Sequence, residues 1–324
     1  MEKKDIKIVF FGTSEFAVPI FKKIADNYDV KLVVTSPDKP SGRKMIMTPP
    51  PVKAEAENRG LAISQPNFLK RNDSFFEQLR KINPDIIIVV AYGKILPPEI
   101  INLPEQGCLN IHGSILPKYR GASPIQTALI NGDKETGVSI ILMDLGMDTG
   151  DIIKSEYLEI NPADNFTVLS TKMSEMASSM IDDVIIPYIT DELNLEMQDD
   201  DRASYCTKIE SSMGKVIWSM SASAINNLVR AIAERVGVYT TFNDKKLNII
   251  KSKVVSSCQN QEKYQDLPVG TVVSCMDEQN KSFIAVKCGK GALELEQVQL
   301  EGKKPMAVKD FINGQPNFVG SQLK

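Results

Sequence analysis

Through the first 160 residues, short apolar runs alternate with stretches whose apolar positions recur every three or four residues. IKIVFFG (6–12) is one such run, and a helical pattern follows it from Phe16 to Ala25. VKLVVTS (30–36), DIIIVVAYG (85–93) and CLNIHGS (108–114) are further strands. Between them AEAENRG (54–60) reads as a helix stopped by Gly60, and SFFEQLRKI (74–82) as another. The run at 85–93 is too continuous for a strand with one wet face. Strands buried on both faces and separated by helices predict a parallel sheet in an open α/β layer. VSIILMD (138–144) and DIIKSEYLEI (151–160) then flank a turn that contains Gly146, Asp148 and Gly150.

The pattern changes in the second half. Val168, Leu169, Met173, Met176, Met180 and Val184 fall at helical spacing between Thr167 and Ile185. Core packing explains such a methionine stripe more often than a ligand-binding face does. The polar run LNLEMQDDDRAS (193–204) reads as a linker. After one helix over 221–234, the segments KLNIIKSKVV, GTVVSCMD, SFIAVKC and ALELEQVQL are short strands of a small sheet or barrel. The expected organisation is an α/β domain over 1–192, a linker over 193–206 and a β-rich domain over 207–324.

Composition adds limits. A chain of 324 residues is long for a single core, and 42% hydrophobic with 24% charged residues is ordinary for a soluble globular protein. No apolar run approaches the roughly 20 residues of a membrane helix. MEKKDIKIVFFG enters a short strand directly, without the long apolar stretch of a secretion signal. The five cysteines are scattered and never form a CxxC pair, which argues against a zinc site and for a reducing, cytoplasmic setting. Residues 1–206 carry 22 Lys and Arg against 30 Asp and Glu, whereas residues 207–324 carry 16 against 11. A basic second half suits a nucleic-acid backbone, although a solvated surface with chance imbalance explains it at least as well on charge alone.

Candidate chemistry centres on the single histidine, His112. Asn110 lies two residues before it, so on a strand both side chains face the same way. The strand ends immediately afterwards, at the carboxyl edge where open α/β sheets bind ligands. Asp148, after the next strand of the layer, is placed to fix the imidazole's tautomer and raise its pKa from about 6.5. One histidine beside an amide makes a poor metal site, and Cys108 lies further back in an apolar run. Asn and His suit stabilisation of an oxyanion and transfer of a proton, as when an amine attacks a carbonyl. FFGTSEF does not match GxGxxG, so the first loop is expected to shape a substrate pocket with Phe16 as an apolar wall. The proline-bounded segment 36–53 places Lys39, Arg43 and Lys44 beside Met45, Ile46 and Met47. Its composition fits a nucleic-acid end and a flexible surface loop about equally.

The segments FFGTSEFAVPIF, SPDKPSGR, PDIIIVVAYGKILP, LNIHGSILPKYRGASPIQ, LMDLGMDTGDI, YCTKIE and GKKPMAVKDFINGQ carry a resemblance. Together they resemble the methionyl-tRNA formyltransferase family, within the wider group of folate-dependent formyltransferases, over essentially the whole chain. The resemblance implies a Rossmann-like catalytic domain followed by a small OB-like β-barrel. It implies Asn110, His112 and Asp148 as the catalytic trio, and 10-formyltetrahydrofolate as co-substrate with no metal. Folate binding falls on Ser114, Ile115, Leu116 and Pro117, with Ala91, Tyr92, Gly93 and Asp144 adding to the pocket. The partner implied is initiator methionyl-tRNA, its acceptor end met by the basic loop through Arg43 and its body held by the second domain. A cytoplasmic monomer without membrane contact is expected. The chain departs from the family's usual pattern at Gly113 and Ile115 of HGSILP, and at Met45–Met47, where lysines are common. Two other readings stand beside this one. They are a formyltransferase for an amino sugar nucleotide or other small amine, and a catalytically inactive tRNA-binding protein.

Overall fold

The computed structural model describes residues 2–42, 45–257, 259, 264 and 266–324. The chain divides into two units, Met1–Pro124 with Glu135–Ile160 and Thr167–Thr207, and Ile125–Lys134 with Asn161–Phe166 and Lys208–Lys324. The first opens with β1 (Lys7–Gly12), α1 (Ala17–Asn27), β2 (Asp29–Val34) and an exposed hairpin of β3 (Lys39–Ser41) and β4 (Ile46–Thr48). It continues through α2 (Pro51–Asn58), β5 (Ile63–Ser64), α3 (Asp73–Ile82), β6 (Ile86–Val90), α4 (Pro98–Ile101), β7 (Cys108–His112) and β8 (Arg120–Gly121). Next come α5 (Pro124–Asn131), which groups with the second unit, then β9 (Glu135–Leu142) and β10 (Ile152–Glu159). The unit closes with α6 (Phe166–Met180), α7 (Ile185–Ile189) and β11 (Tyr205–Cys206).

Local chemistry sets these boundaries. A proline at the first helical position starts α2, and Gly60 beyond its end takes φ +66°, which glycine adopts without strain. Asn72 caps α3 by accepting from the Phe75 N–H, and Asn83 ends it in the left-handed region. Phe75 and Leu79 bury the apolar stripe of α3 against Val9, Phe11, Ile87 and Val89 of the sheet. In α6 and just beyond it, Leu169, Met173, Met180 and Val184 are buried, so the methionine stripe is core, whereas Val168 is exposed.

Seven strands lie in the order β10-β9-β7-β6-β1-β2-β5. The strands from β7 to β5 are parallel, as the apolar runs predict. The sheet is mixed, however, because β9 runs antiparallel to both β7 and β10. A parallel return needs a crossover spanning the sheet. The chain between β7 and β9 holds β8 and the eight-residue α5, which groups with the other unit, and β9 and β10 are joined through residues 143–151.

In the second unit α8 (Ala222–Ile232) is followed by β12 (Tyr239–Phe242), β13 (Lys245–Val254), β14 (Val272–Met276), β15 (Ser282–Lys287), β16 (Ala292–Leu300), β17 (Met306–Ala307) and α9 (Val308–Asn313). Ser221 caps α8 by accepting from the Ala224 N–H, and Ala222, Ile225, Val229 and Ile232 form its buried stripe. The six strands make one antiparallel sheet, ordered β12-β13-β16-β15-β14 with β17 beside β16. Phe242, Phe311 and Phe318 meet edge to face there, with centroids 5.0–6.2 Å apart. No described helix is long and apolar enough to cross a membrane.

Phe11 is wholly buried, with Tyr92 5.2 Å and Phe75 6.3 Å away, both edge-on. Phe11→Ala is expected to cost about 3–5 kcal/mol of stability through the cavity it leaves. Circular dichroism in a urea titration is the measurement, because the lone Trp218 reports on the other unit. A loss below about 1 kcal/mol would contradict this packing.

Candidate active site

Three strand ends of the first unit meet at one edge of the sheet. Gly12 of β1 pairs with Val90 of β6, and Val89 pairs with Asn110 of β7. The backbone turns sharply beyond β6, where Ala91 and Gly93 take φ +45° and +83°. Thr13 and Ser36 hydroxyls both donate to the Tyr92 carbonyl, at 3.0 and 3.3 Å, tying the loops after β1, β2 and β6 together. The Tyr92 ring turns into the core beside Phe11, and burial pushes its hydroxyl up to about 12. The exposed part of this turn is Ala91 and Gly93.

Asn110 and His112 point to the same side of β7, as strand parity requires. The Asn110 Nδ2 donates to Asp148 Oδ1 at 3.1 Å, and His112 Nδ1 lies 3.5 Å from Asp148 Oδ2. The other ring nitrogen, Nε2, sits 2.9 Å from the Tyr119 carbonyl. A carbonyl only accepts, so Nε2 carries a proton. Nδ1 is then the nitrogen that faces Asp148. His112 is 6% exposed and the Asp148 side chain 16%, which keeps the pair partly out of water.

Asp148 reaches this place from the loop between β9 and β10. Asp144 closes that loop, accepting from the Thr149 hydroxyl at 2.7 Å and the Gly146 N–H at 3.0 Å. Gly150 passes so near Leu142 that an added Cβ would lie 1.8 Å from its carbonyl oxygen. Asp148 itself has φ +55°, sparsely populated for a residue with a side chain. The Gly121 N–H donates to its Oδ2 at 2.8 Å.

The segment after His112 is held from behind by β9. Ser139, opposite His112 in the ladder, donates to the Ser114 carbonyl at 2.9 Å and accepts from the Leu116 N–H at 3.1 Å. Ser114 donates to the Lys118 carbonyl, and the Leu116–Pro117 bond is cis. Ser114 and Leu116 are buried, and Ile115 and Pro117 half-buried, beside the edge that carries His112. The Phe16 backbone carbonyl accepts from Ser174, and its side chain is half-buried just before α1. Arg43 lies outside the described residues. The pattern along the chain gave no role to Tyr119, Gly121, Ser139 or Gln198. A carbonyl, an N–H or an amide acting through its backbone partners leaves no periodicity to read.

Asn110, His112 and Asp148 offer amide donation, proton transfer and a fixed negative charge within one hydrogen-bonded group. Among the described residues, no three His, Cys, Asp or Glu side chains gather as metal ligands. Residues 6–185 match the family described as Formyl transferase, and residues 208–316 match Formyl transferase, C-terminal domain. The chain belongs to the formyl transferase family. It is 40% identical over 320 residues to the methionyl-tRNA formyltransferase of Caldanaerobacter subterraneus subsp. tengcongensis, covering 98% of this chain and 100% of that one. With the methionyl-tRNA formyltransferase of Caldicellulosiruptor saccharolyticus it shares 43% identity over 309 residues, covering 95% and 96%. Its fold is similar to that of an N-formyltransferase from Helicobacter canadensis solved with folinic acid and dTDP-3-aminofucose. That likeness has a TM-score of 0.63 and 19% identity, and covers 90% of this chain and 98% of the other.

Within this formyl transferase the thiol of β7 is shut away from solvent. Cys108 is fully buried, its Sγ 3.6 Å from the carbonyls of Ile100 and Ile101, and burial pushes the thiol up to about 12. A thiol raised in this way stays protonated near neutral pH, so little thiolate is present to react. Iodoacetamide is therefore expected to leave Cys108 unmodified in the folded protein, as read by peptide mass spectrometry. Its alkylation without unfolding would contradict this placement.

Proposed function

We propose that the chain transfers the formyl group of 10-formyltetrahydrofolate to the α-amino group of initiator methionyl-tRNA, giving N-formylmethionyl-tRNA for translation initiation. The observation that carries this reading is the geometry of Asn110, His112 and Asp148 in a chain about 40% identical, end to end, to methionyl-tRNA formyltransferases. The methionyl amine attacks the formyl carbon, and Asn110 Nδ2 with His112 Nδ1 donates to the oxyanion that forms. His112 then gives its Nδ1 proton to the folate nitrogen as the carbon–nitrogen bond breaks. Asp148 balances the imidazolium and accepts the proton lost by the amine, directly or through water. The Tyr119 carbonyl holds the far side of the ring throughout.

A reduced folate fits the chemistry of the sheet edge. Ala91 and Gly93 offer exposed backbone there, Ser114 to Pro117 a rigid wall, and the loop closed by Asp144 a rim. Phe16 adds an apolar side. The β3–β4 hairpin supports an RNA acceptor end, since Lys39 accompanies Met45, Ile46 and Met47, which are 67%, 62% and 59% exposed. Arg43 belongs to the same hairpin in sequence and is read as its phosphate contact. The division of labour we read is catalysis by the first unit, whose chain runs on to Thr207, and tRNA holding by the basic segment that follows, in a cytoplasmic monomer.

The test is transfer of labelled formyl from 10-formyltetrahydrofolate to initiator and elongator methionyl-tRNA. Transfer is expected to favour the initiator, and His112→Ala to lower kcat roughly a hundredfold to a thousandfold with the fold intact. Transfer to an amino sugar nucleotide in place of tRNA, or near-normal turnover by a folded His112→Ala, overturns the reading.

A further inference from the structure

Gln198 lies in the polar run that reads as a linker in the sequence, two residues before a short turn at Asp200–Arg202. Its side chain is fully engaged. Nε2 donates to the carbonyls of Asp148 and Gly150, at 2.8 and 2.7 Å, and Oε1 accepts from Arg120 Nε at 3.0 Å. The orientation of the amide is fixed by chemistry, because carbonyls only accept and a guanidinium only donates. Arg120 is 1% exposed, and its remaining nitrogens reach Tyr205 Oη at 3.3 Å and Asp200 Oδ1 at 2.8 Å.

These bonds converge on one residue. Gln198 holds the Asp148 carbonyl, while Gly121, next to Arg120 in the chain, donates its N–H to the Asp148 carboxylate. The left-handed backbone of Asp148 persists only where its surroundings over-determine it, and here they grip it at both its carbonyl and its carboxylate. The same strap serves the histidine. Ser204 Oγ accepts from the Tyr119 N–H at 3.0 Å, and the Ser204 carbonyl accepts from the Arg120 N–H at 2.8 Å. Tyr119, also left-handed at φ +61°, is thereby fixed with its carbonyl on His112 Nε2. β11 then pairs with β8 and completes the strap.

We propose that Gln198 is a positioning residue for the Asp148 carboxylate, and that the strap from 198 to 206 is part of the catalytic apparatus. The proposal rests on the reading of Asp148 as a catalytic group. Gln198 acts by holding the loop at the one backbone conformation from which the carboxylate meets Asn110 and His112 together. A residue that merely stabilised the fold would leave the surviving folded molecules with an unaltered site.

The chain has a single imidazole, so nitrogen-isotope labelling of histidine reports on His112 alone. In folded Gln198→Ala at neutral pH, the ring-nitrogen resonances are expected to move from the wild-type positions toward those of Asp148→Asn. In the transfer assay kcat should fall roughly tenfold or more while both KM values stay within about threefold, the mark of a transition-state contribution. In the Asp148→Asn background the same change should cost less than about twofold, because the two residues act as one unit. Gln198→Glu is the second variant, should alanine prevent folding. It keeps the acceptor for Arg120 but sets a carboxylate oxygen against two carbonyls, and should displace the resonances likewise. Wild-type ring resonances in a folded variant, or full additivity with Asp148→Asn, overturn the proposal. A wild-type protein that transfers nothing to methionyl-tRNA counts against the proposed function instead, and the ring resonances still decide the role of Gln198.

Discussion

The Asp148 carboxylate accepts from the Asn110 amide and the Gly121 N–H, and it faces His112 Nδ1 at 3.5 Å. Three segments meet at that one group, β7, the loop after β9 and the turn at β8, and the strap holds the same residue by its backbone carbonyl. A partly buried carboxylate is costly unless its lone pairs are satisfied. Here each bond that satisfies it also fixes a neighbouring segment in place.

The sheet supplies the fixed frame for this arrangement. The β6–β7 ladder sets Asn110 beside Val89, and the β7–β9 ladder sets His112 opposite Ser139. The reversed β9 ends opposite Leu109, at the start of β7, and the loop through residues 143–151 carries Asp148 back to Asn110 and His112. Ser139 extends the same logic to the segment from Ser114 to Pro117, which it holds through one acceptor and one donor bond.

His112 shows how two partners divide one task. The carbonyl of Tyr119 decides which nitrogen is committed, and the carboxylate of Asp148 decides which way the free end faces. Neither is close in sequence to the strap that holds them in place, where Gln198 and Ser204 act. Preorganisation of this kind matters in acyl transfer because donors already aimed at the developing oxyanion need no rearrangement as charge appears.

Much of this was legible along the chain. Apolar runs and helical spacing located the strands and helices of both units, since burial on one or two faces writes a period of two, a continuous run, or a period near 3.6. Strand parity put Asn110 and His112 on one face, and the position of Asp148 after the next strand marked it as their partner. Three things needed the tertiary structure. The direction of β9 depends on how connections close in space, and no local pattern carries it. The Tyr92 ring, counted with the pocket in sequence, turns into the core because Phe11 and the sheet offer it apolar contact. The run from 193 to 204, polar and without periodicity, reads as a tether, yet Gln198 and Ser204 work through backbone carbonyls and N–H groups that every residue has. Side-chain patterns record burial, so the sequence by itself determined the layers, the strand that carries Asn110 and His112, and the face those two share. Hydrogen bonds to backbone groups leave no such record, so only the folded chain decided what holds the trio in place.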